Sequence, residues 1–406
     1  MSAHAQEVVV LVLVVVTALG FDFTNGFHDT GNAMATSIAT GALKPKVAVA
    51  ISGLLNLVGA FLSVEVATTV TTSVLKIQQK GSGNLLGGIT AETALIIIFA
   101  GLVGGILWNL FTWLHGLPSS SSHALFGGLI GAGLASGGLS RINWDGLVSK
   151  VLLPAVASPF VAGIVAAIGT FLIYAITRSV RDSEKESSFR WGQIGTASLV
   201  SLAHGTGDAQ KTMGVIALAL IAKGSLTSGD IMKNGIPIWI IFSCGAAIAL
   251  GTYLGGWRVI RTLGKGLVDI DAPQGMAAEA SSAAIILTSS HFGMALSTTH
   301  VASGSIVGTG LGRPNSQVRW SVAGRMAAGW VLTLPCAAIV GAACYGVAHL
   351  IGGVGGAVVI FIVLLSAAGY MYLRSRATAV HAGNVNDEWE GAPSVRSELS
   401  ERQPAA

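Results

Sequence analysis

The sequence predicts an all-α polytopic membrane protein. Three observations carry that reading: a composition too apolar for a soluble chain, a succession of long apolar runs, and two motifs that recur at nearly one displacement. Of 406 residues, 52% are hydrophobic, 10% are charged and 54 are glycine, with a mean hydropathy of +0.69. An average soluble domain carries roughly 25% charge and about 7% glycine. With 23 Lys and Arg and 19 Asp and Glu, the chain cannot cover the surface of a soluble fold of this length. That excludes an ordinary soluble enzyme, a nucleic-acid binder and a disordered protein, and it makes the lipid bilayer the expected surroundings.

The apolar or glycine-rich runs cover approximately 7–21, 27–43, 47–75, 84–112, 119–140 and 146–177, then 193–222, 235–256, 276–294, 297–312, 320–349 and 350–373. A spanning helix needs about 20 apolar residues, so the runs allow about 10 to 12 crossings or half-crossings. They are long and continuous rather than alternating, which selects helices over a barrel. Several are too short, or too broken by Gly and Pro, to cross alone. The first run, from Val8 to Leu19, has no Lys or Arg before Lys44, so it is expected to be a retained span rather than a secretory signal.

These runs divide the chain into a first transmembrane repeat (1–177), a charged cytoplasmic linker (178–192), a second transmembrane repeat (193–373) and a flexible polar tail (374–406). The linker carries Arg178, Arg181, Lys185 and Arg190, and positive charge collects on the cytoplasmic side. The absence of Lys and Arg from the first 43 residues suits an outside start, and with an inside midpoint it requires an odd number of crossings in the first half, so a second half of the same fold is inverted. The net charge of +4 reflects the same loop bias. Cys244, Cys336 and Cys344 lie in apolar runs without metal or redox spacing and read as small buried hydrophobes.

The internal repeat is the strongest signal. At an offset of 177, Ser120 to Leu134 pairs without gaps with Ser297 to Leu311. Ser120, His123, Gly127, Gly131, Gly133 and Leu134 recur as Ser297, His300, Gly304, Gly308, Gly310 and Leu311, while Ser121 and Ser122 become Thr298 and Thr299. A second pair is NGFHDTGNAMAT (25–36) and HGTGDAQKTMG (204–214). An offset of 176 pairs His28 with His204 and gives more identities; an offset of 179 pairs Gly26 with Gly205 and superposes Asp29 on Asp208. Chemistry favours 179. Two motifs in one order at nearly one displacement mark a duplication, an architecture common in secondary transporters.

The chemistry follows from the residue types. Ser119 to Ser122, echoed by Ser297, Thr298 and Thr299, are good N-caps placed before glycine-rich helices. Two helix starts facing each other present free N–H groups and positive dipole ends, an oxyanion site that needs no arginine. Asp29 and Asp208 lie in apolar context, where an ionisable residue is a functional candidate. Asn25, Asn32 and Gln210 offer neutral partners. Lys211 is left with three roles: pairing with Asp208, contacting the substrate, or snorkelling to water. An anion held beside two carboxylates binds only when a cation, H⁺ or Na⁺, arrives with it, which is the cooperativity a symporter needs. Glu279 divides evenly between a structural role and a cation site. The histidines in the motifs read as helix-end hydrogen-bonding groups or proton relays, not as metal ligands. Gly127 with Gly131, and Gly304 with Gly308, serve close helix packing. There is no Gly-x-Ser-x-Gly elbow, HExxH, CxxC or P-loop, so an enzyme, a resident cofactor and a bound metal are not expected.

At NGFHDTGNAMAT, GLPSSSSHALFGG, HGTGDAQKTMG, STTHVASGS and GGWRVIRTLGKGL the chain resembles the PiT-type inorganic phosphate transporters, over about residues 8–373. The resemblance implies symport of inorganic phosphate, alone or as a metal complex, driven by protons or sodium across the cytoplasmic membrane. It implies two inverted repeats, each with a re-entrant helical hairpin starting at its Ser/Thr cluster, and a homodimer. Carried over by motif, phosphate would meet Ser120, Ser121, Ser122, Ser297, Thr298, Thr299 and Asn32. To these the reading of the residues adds Gln210 and Lys211 for phosphate, and Asp29, Asp208, Asn25 and Glu279 for cation coupling. The chain departs from the family pattern at Gly207, Ala295 and Asn56, and Asn56 tilts the coupling towards protons. A sulfate symporter of the same family and an uncoupled anion channel are the alternatives.

Overall fold

A computed structural model describes residues 2–79, 85–314 and 316–387. The first half runs through α1 (Ala3–Ala39), α2 (Pro45–Gly59), α3 (Glu65–Ser73), α4 (Ala91–Leu114), α5 (Ser121–Gly137), α6 (Trp144–Leu147) and α7 (Leu153–Ile176). The second runs through α8 (Asp182–Ala222), α9 (Ser228–Asn234), α10 (Ile238–Leu254), α11 (Trp257–Arg261), α12 (Ala272–His291), α13 (Thr298–Gly312), α14 (Trp320–Ile351) and α15 (Gly353–Arg376). Most of the charged interval expected between the halves forms the first turns of α8.

By length and composition, five helical stretches among the described residues can cross a membrane: α1, α4, the run from Trp144 through α7, α14 and α15. A sixth is the pair α10 and Trp257–Gly266, bent by 62°. Other apolar runs of the sequence take different forms. α2, α5 and α13 have 15, 17 and 15 residues, about 22–26 Å at 1.5 Å per residue, short of a ~30 Å hydrocarbon core. α8 and α12 are long enough but polar within, with Asp208, Lys211, Gln274 and Glu279 all buried. The outer helices turn large apolar side chains outward, Phe160 at 69% and Ile339 at 69% exposure among them, as a lipid-facing surface does.

Local sequence sets where the central helices begin. Pro45 opens α2 with its φ preset. The Ser120 side chain accepts from His123 N–H at the start of α5, and the Ser297 side chain from His300 N–H at the start of α13. The two caps share one backbone conformation, φ −87°, ψ 108° and φ −85°, ψ 110°. Asp271 and Gln274 form a capping box at α12.

The packing partners of the first half recur in the second. α1 lies on α4 and α10, and α8 lies on α12 and α2. The short helices cross over: α5 beds on α14, and α13 on α7. Both beds carry an internal proline, Pro335 and Pro159. The crossing is possible only at glycine. A Cβ on Gly131 would stand 1.8 Å from the Ala338 carbonyl oxygen, and one on Gly308 2.1 Å from that of Gly163.

At the end of the molecule where Arg190 donates to the Gly41 carbonyl, the chain after α15 is docked rather than loose. Arg258 holds the carbonyls of Ser375 and Thr378, Asn386 donates to the Ile38 carbonyl, and Val385 is buried. The remainder of the polar tail, from 388, lies outside the described residues.

Candidate functional site

The two acids sit in the C-terminal halves of the long helices α1 and α8 and are fully buried, at 1% and 0% exposure. Each accepts a hydroxyl from the first turn of its own half's short helix: Ser121 Oγ to Asp29 Oδ2 at 2.6 Å, and Thr298 Oγ1 to Asp208 Oδ2 at 3.1 Å. Positions paired by the 177 offset thus contact positions paired by the 179 offset. The backbone agrees with 179. A Cβ on Gly26 would meet the Ile248 carbonyl oxygen of α10 at 2.2 Å, and one on Gly205 the Asn56 carbonyl oxygen of α2 at 2.2 Å.

The residues three positions after the acids reach the opposite way. Asn32 Nδ2 donates to Thr298 Oγ1 (3.3 Å) and Thr299 Oγ1 (3.0 Å) of α13. Lys211 Nζ donates to Ser122 Oγ of α5 (2.5 Å), to the Leu296 carbonyl (2.9 Å) and to Asp208. Thr299 Oγ1 also donates to the Ser119 carbonyl at 3.0 Å, tying the two clusters together. The His123 and His300 rings lie 4.9 Å apart, so the opening turns of α5 and α13 face each other. The first turn of a helix carries spare N–H groups and the positive end of its dipole, and two such turns meet here.

Histidines complete the acid shells. His28 Nδ1 bonds Asp29 Oδ1 at 2.6 Å, and its Nε2 lies 3.2 Å from Thr112 Oγ1. His204 Nε2 lies 3.1 Å from Asp208 Oδ2, and its Nδ1 bonds Asn56 Oδ1 at 3.2 Å. One ligand atom each of Asp29, His204 and Asp208 falls within a 4.8 Å cluster. Two carboxylates this close, with Lys211 already joined to one of them, attract a cation.

The candidates from the sequence divide accordingly. Asp29, Asp208, Asn32, Lys211, Ser121, Ser122, Thr298 and Thr299 come together, with Ser120 and Ser297 as the caps that shape the two turns. Lys211 takes the first of its three roles and does not snorkel. Asn25 is buried, with its Oδ1 unpartnered among the described residues. Gln210 turns elsewhere: its Oε1 accepts from the amides of Val66 and Ala67, closing the start of α3. Glu279 stands in a separate cluster, accepting from Thr36 (2.6 Å), Thr196 (2.7 Å) and Gln193 (3.2 Å). His28 and His204, the motif histidines, take hydrogen-bonding places in the acid shells, joined by Asn56 and by Thr112, which carries no distinct sequence signal. Asp22 is buried as well, an acid directly after the first apolar run, which is the mark by which the sequence shows it.

Comparison with known proteins bears on this geometry. A sequence profile described as the phosphate transporter family matches residues 25–341. A probable low-affinity inorganic phosphate transporter of Mycobacterium bovis is 57% identical over 385 residues, covering 95% of this chain and 88% of that one. One of Bacillus subtilis is 40% identical, covering 84% and 98%. Among solved structures, a sodium-dependent phosphate transporter superposes with a TM-score of 0.67 at 22% identity, over 84% of this chain and all of that one, which establishes the likeness of fold. The family and the relatives are transporters, not enzymes, and apolar helices mark a membrane protein. The chain belongs to the phosphate transporter family.

Proposed function

We propose that the chain takes up inorganic phosphate across the cytoplasmic membrane together with a cation, H⁺ or Na⁺, from a site between the first turns of α5 and α13. The observation that carries this reading is the pairing of Asp29 with Ser121 and of Asp208 with Thr298 where the two helix starts meet. Hydroxyls, free amides and dipole ends suit a tetrahedral oxyanion. The carboxylates repel that anion until a cation is shared between them, so neither ion binds well alone. The relatives named as phosphate transporters support the choice of anion. The matched surroundings of α1 and α8, and of α5 and α13, support two inverted repeats moving against each other about a fixed site.

Labelled phosphate uptake into proteoliposomes, with a proton gradient and a sodium gradient imposed separately, tests the reading. Accumulation above equilibrium under one gradient, competed poorly by sulfate, is the expected result. Equilibration without accumulation would indicate a channel, and preference for sulfate would overturn the choice of anion.

A further inference from the structure

Asp22 lies on α1 two turns before Asp29 and is fully buried. Its Oδ1 accepts from Thr212 Oγ1 of α8 at 2.6 Å, while its Oδ2 is buried with no hydrogen-bond partner among the described residues. The ionisable groups that act on it are Asp208 and Lys211 of α8 and the Cys244 thiol of α10. The other long neighbours of α1 hold their charges elsewhere. α4 and α2 carry charge only in their first turns, at Glu92 and Lys46, and Glu279 of α12 is engaged with Thr36.

An ionised carboxylate whose second oxygen has only the weak Cys244 thiol beside it, far from water, is costly by several kcal/mol. The nearby cation is outweighed, because Lys211 is engaged with Asp208, Ser122 and the Leu296 carbonyl and the Asp208 charge acts against it. The neutral acid fits this place, and Thr212, adjacent in sequence to Lys211, links it to the Asp208 side of the pocket.

We propose that the Asp22–Thr212–Cys244 cluster is a proton site of the transport cycle, distinct from the carboxylate pair that faces phosphate. The inference rests on the phosphate-symport reading and adds a coupling proton to the cation shared by Asp29 and Asp208. A proton taken from the outer solution neutralises Asp22, lowers the negative charge of the core that phosphate enters, and leaves on the inner side. Asp22 is about 10 Å along α1 from Asp29, and one charge at that range changes anion affinity roughly tenfold in a protein interior. By linkage, bound phosphate strengthens proton binding at Asp22 by the same factor.

The test compares parent protein and Asp22→Asn in proteoliposomes, reading proton-driven phosphate accumulation, luminal acidification during phosphate influx, and phosphate–phosphate exchange without a gradient. The expected result is that Asp22→Asn loses accumulation and acidification by about tenfold or more while exchange stays within roughly threefold. Parent-level acidification in Asp22→Asn overturns the proposal. So does a parent driven only by sodium, an outcome that leaves phosphate symport standing; a parent that moves no phosphate at all fails the underlying reading instead. If Asp22→Asn does not assemble, Thr212→Val keeps the acid and removes its partner hydroxyl. The pH midpoint of exchange is then expected to move by about one unit, and an unmoved midpoint overturns the proposal.

Discussion

Asn32 and Lys211 stand three residues after Asp29 and Asp208 on the matching helices α1 and α8, and each reaches the Ser/Thr cluster of the opposite half. At this pair the two halves differ in charge while keeping the same reach. The site is therefore symmetric in shape and asymmetric in electrostatics: the Asp208 side carries its own cation and the Asp29 side does not.

That asymmetry makes Asp29 the freer of the two carboxylates to take a coupling cation. Asp29→Asn and Asp208→Asn are each expected to reduce gradient-driven phosphate accumulation to background while the purified protein keeps its size-exclusion profile. Normal accumulation by both variants would remove the carboxylates from the site.

Ser121 and Thr298 hold one acid each and stand in the turns at which phosphate is proposed to bind. Ser121→Ala and Thr298→Ala are expected to raise the KM for phosphate by about tenfold, the worth of one hydrogen bond to a charged group. Initial-rate uptake measures this, and unchanged KM in both would make the hydroxyls purely structural.

Removing Lys211 leaves Asp208 buried without its cation. Lys211→Met is expected to destabilise the protein by about 3–5 kcal/mol. Asp208→Asn/Lys211→Met, which removes both charges, is expected to regain most of it. Thermal unfolding in detergent reads the difference, and a double variant as weak as the single would show that the pair is not the source.

Close approach by the short helices predicts sharp intolerance at two glycines. Gly131→Ala and Gly308→Ala place a Cβ against backbone oxygen and are expected to cost about 1–3 kcal/mol or more. Gly346→Ala, with nothing within 4 Å of the added carbon, is expected to be neutral or stabilising. Melting temperatures of the three variants, compared side by side, check this.

Much of the site was legible because its parts lie in local motifs. Serine or threonine before a glycine-rich stretch marks a helix start wherever it occurs, and Ser120 and Ser297 cap as that rule expects. The competition between the 176 and 179 offsets was not resolvable from identities, since His28 and His204 are different in place: one precedes its acid directly, the other by a full turn. Gln210 misled for a geometric reason. Two residues beyond Asp208 is about 200° around the helix, so it serves α3, whereas His204 and Lys211, four before and three after, share the acid's face. The count of crossings was less legible. Buried polar residues make α8 and α12 look unlike membrane spans, and apolar glycine-rich α5 and α13 look like spans although they are short.

The crossed seating of α5 on α14 and of α13 on α7 has a consequence for origin and for engineering. One half by itself keeps its short helix on α4 or α12 but lacks the long helix of the other half on which it also packs, and it holds only one of the two acids. A forerunner encoding a single half would have needed a second copy of itself before it had anywhere to put an anion. For the same reason, the present chain cut between α7 and α8 is expected to regain a site only when both fragments are made together.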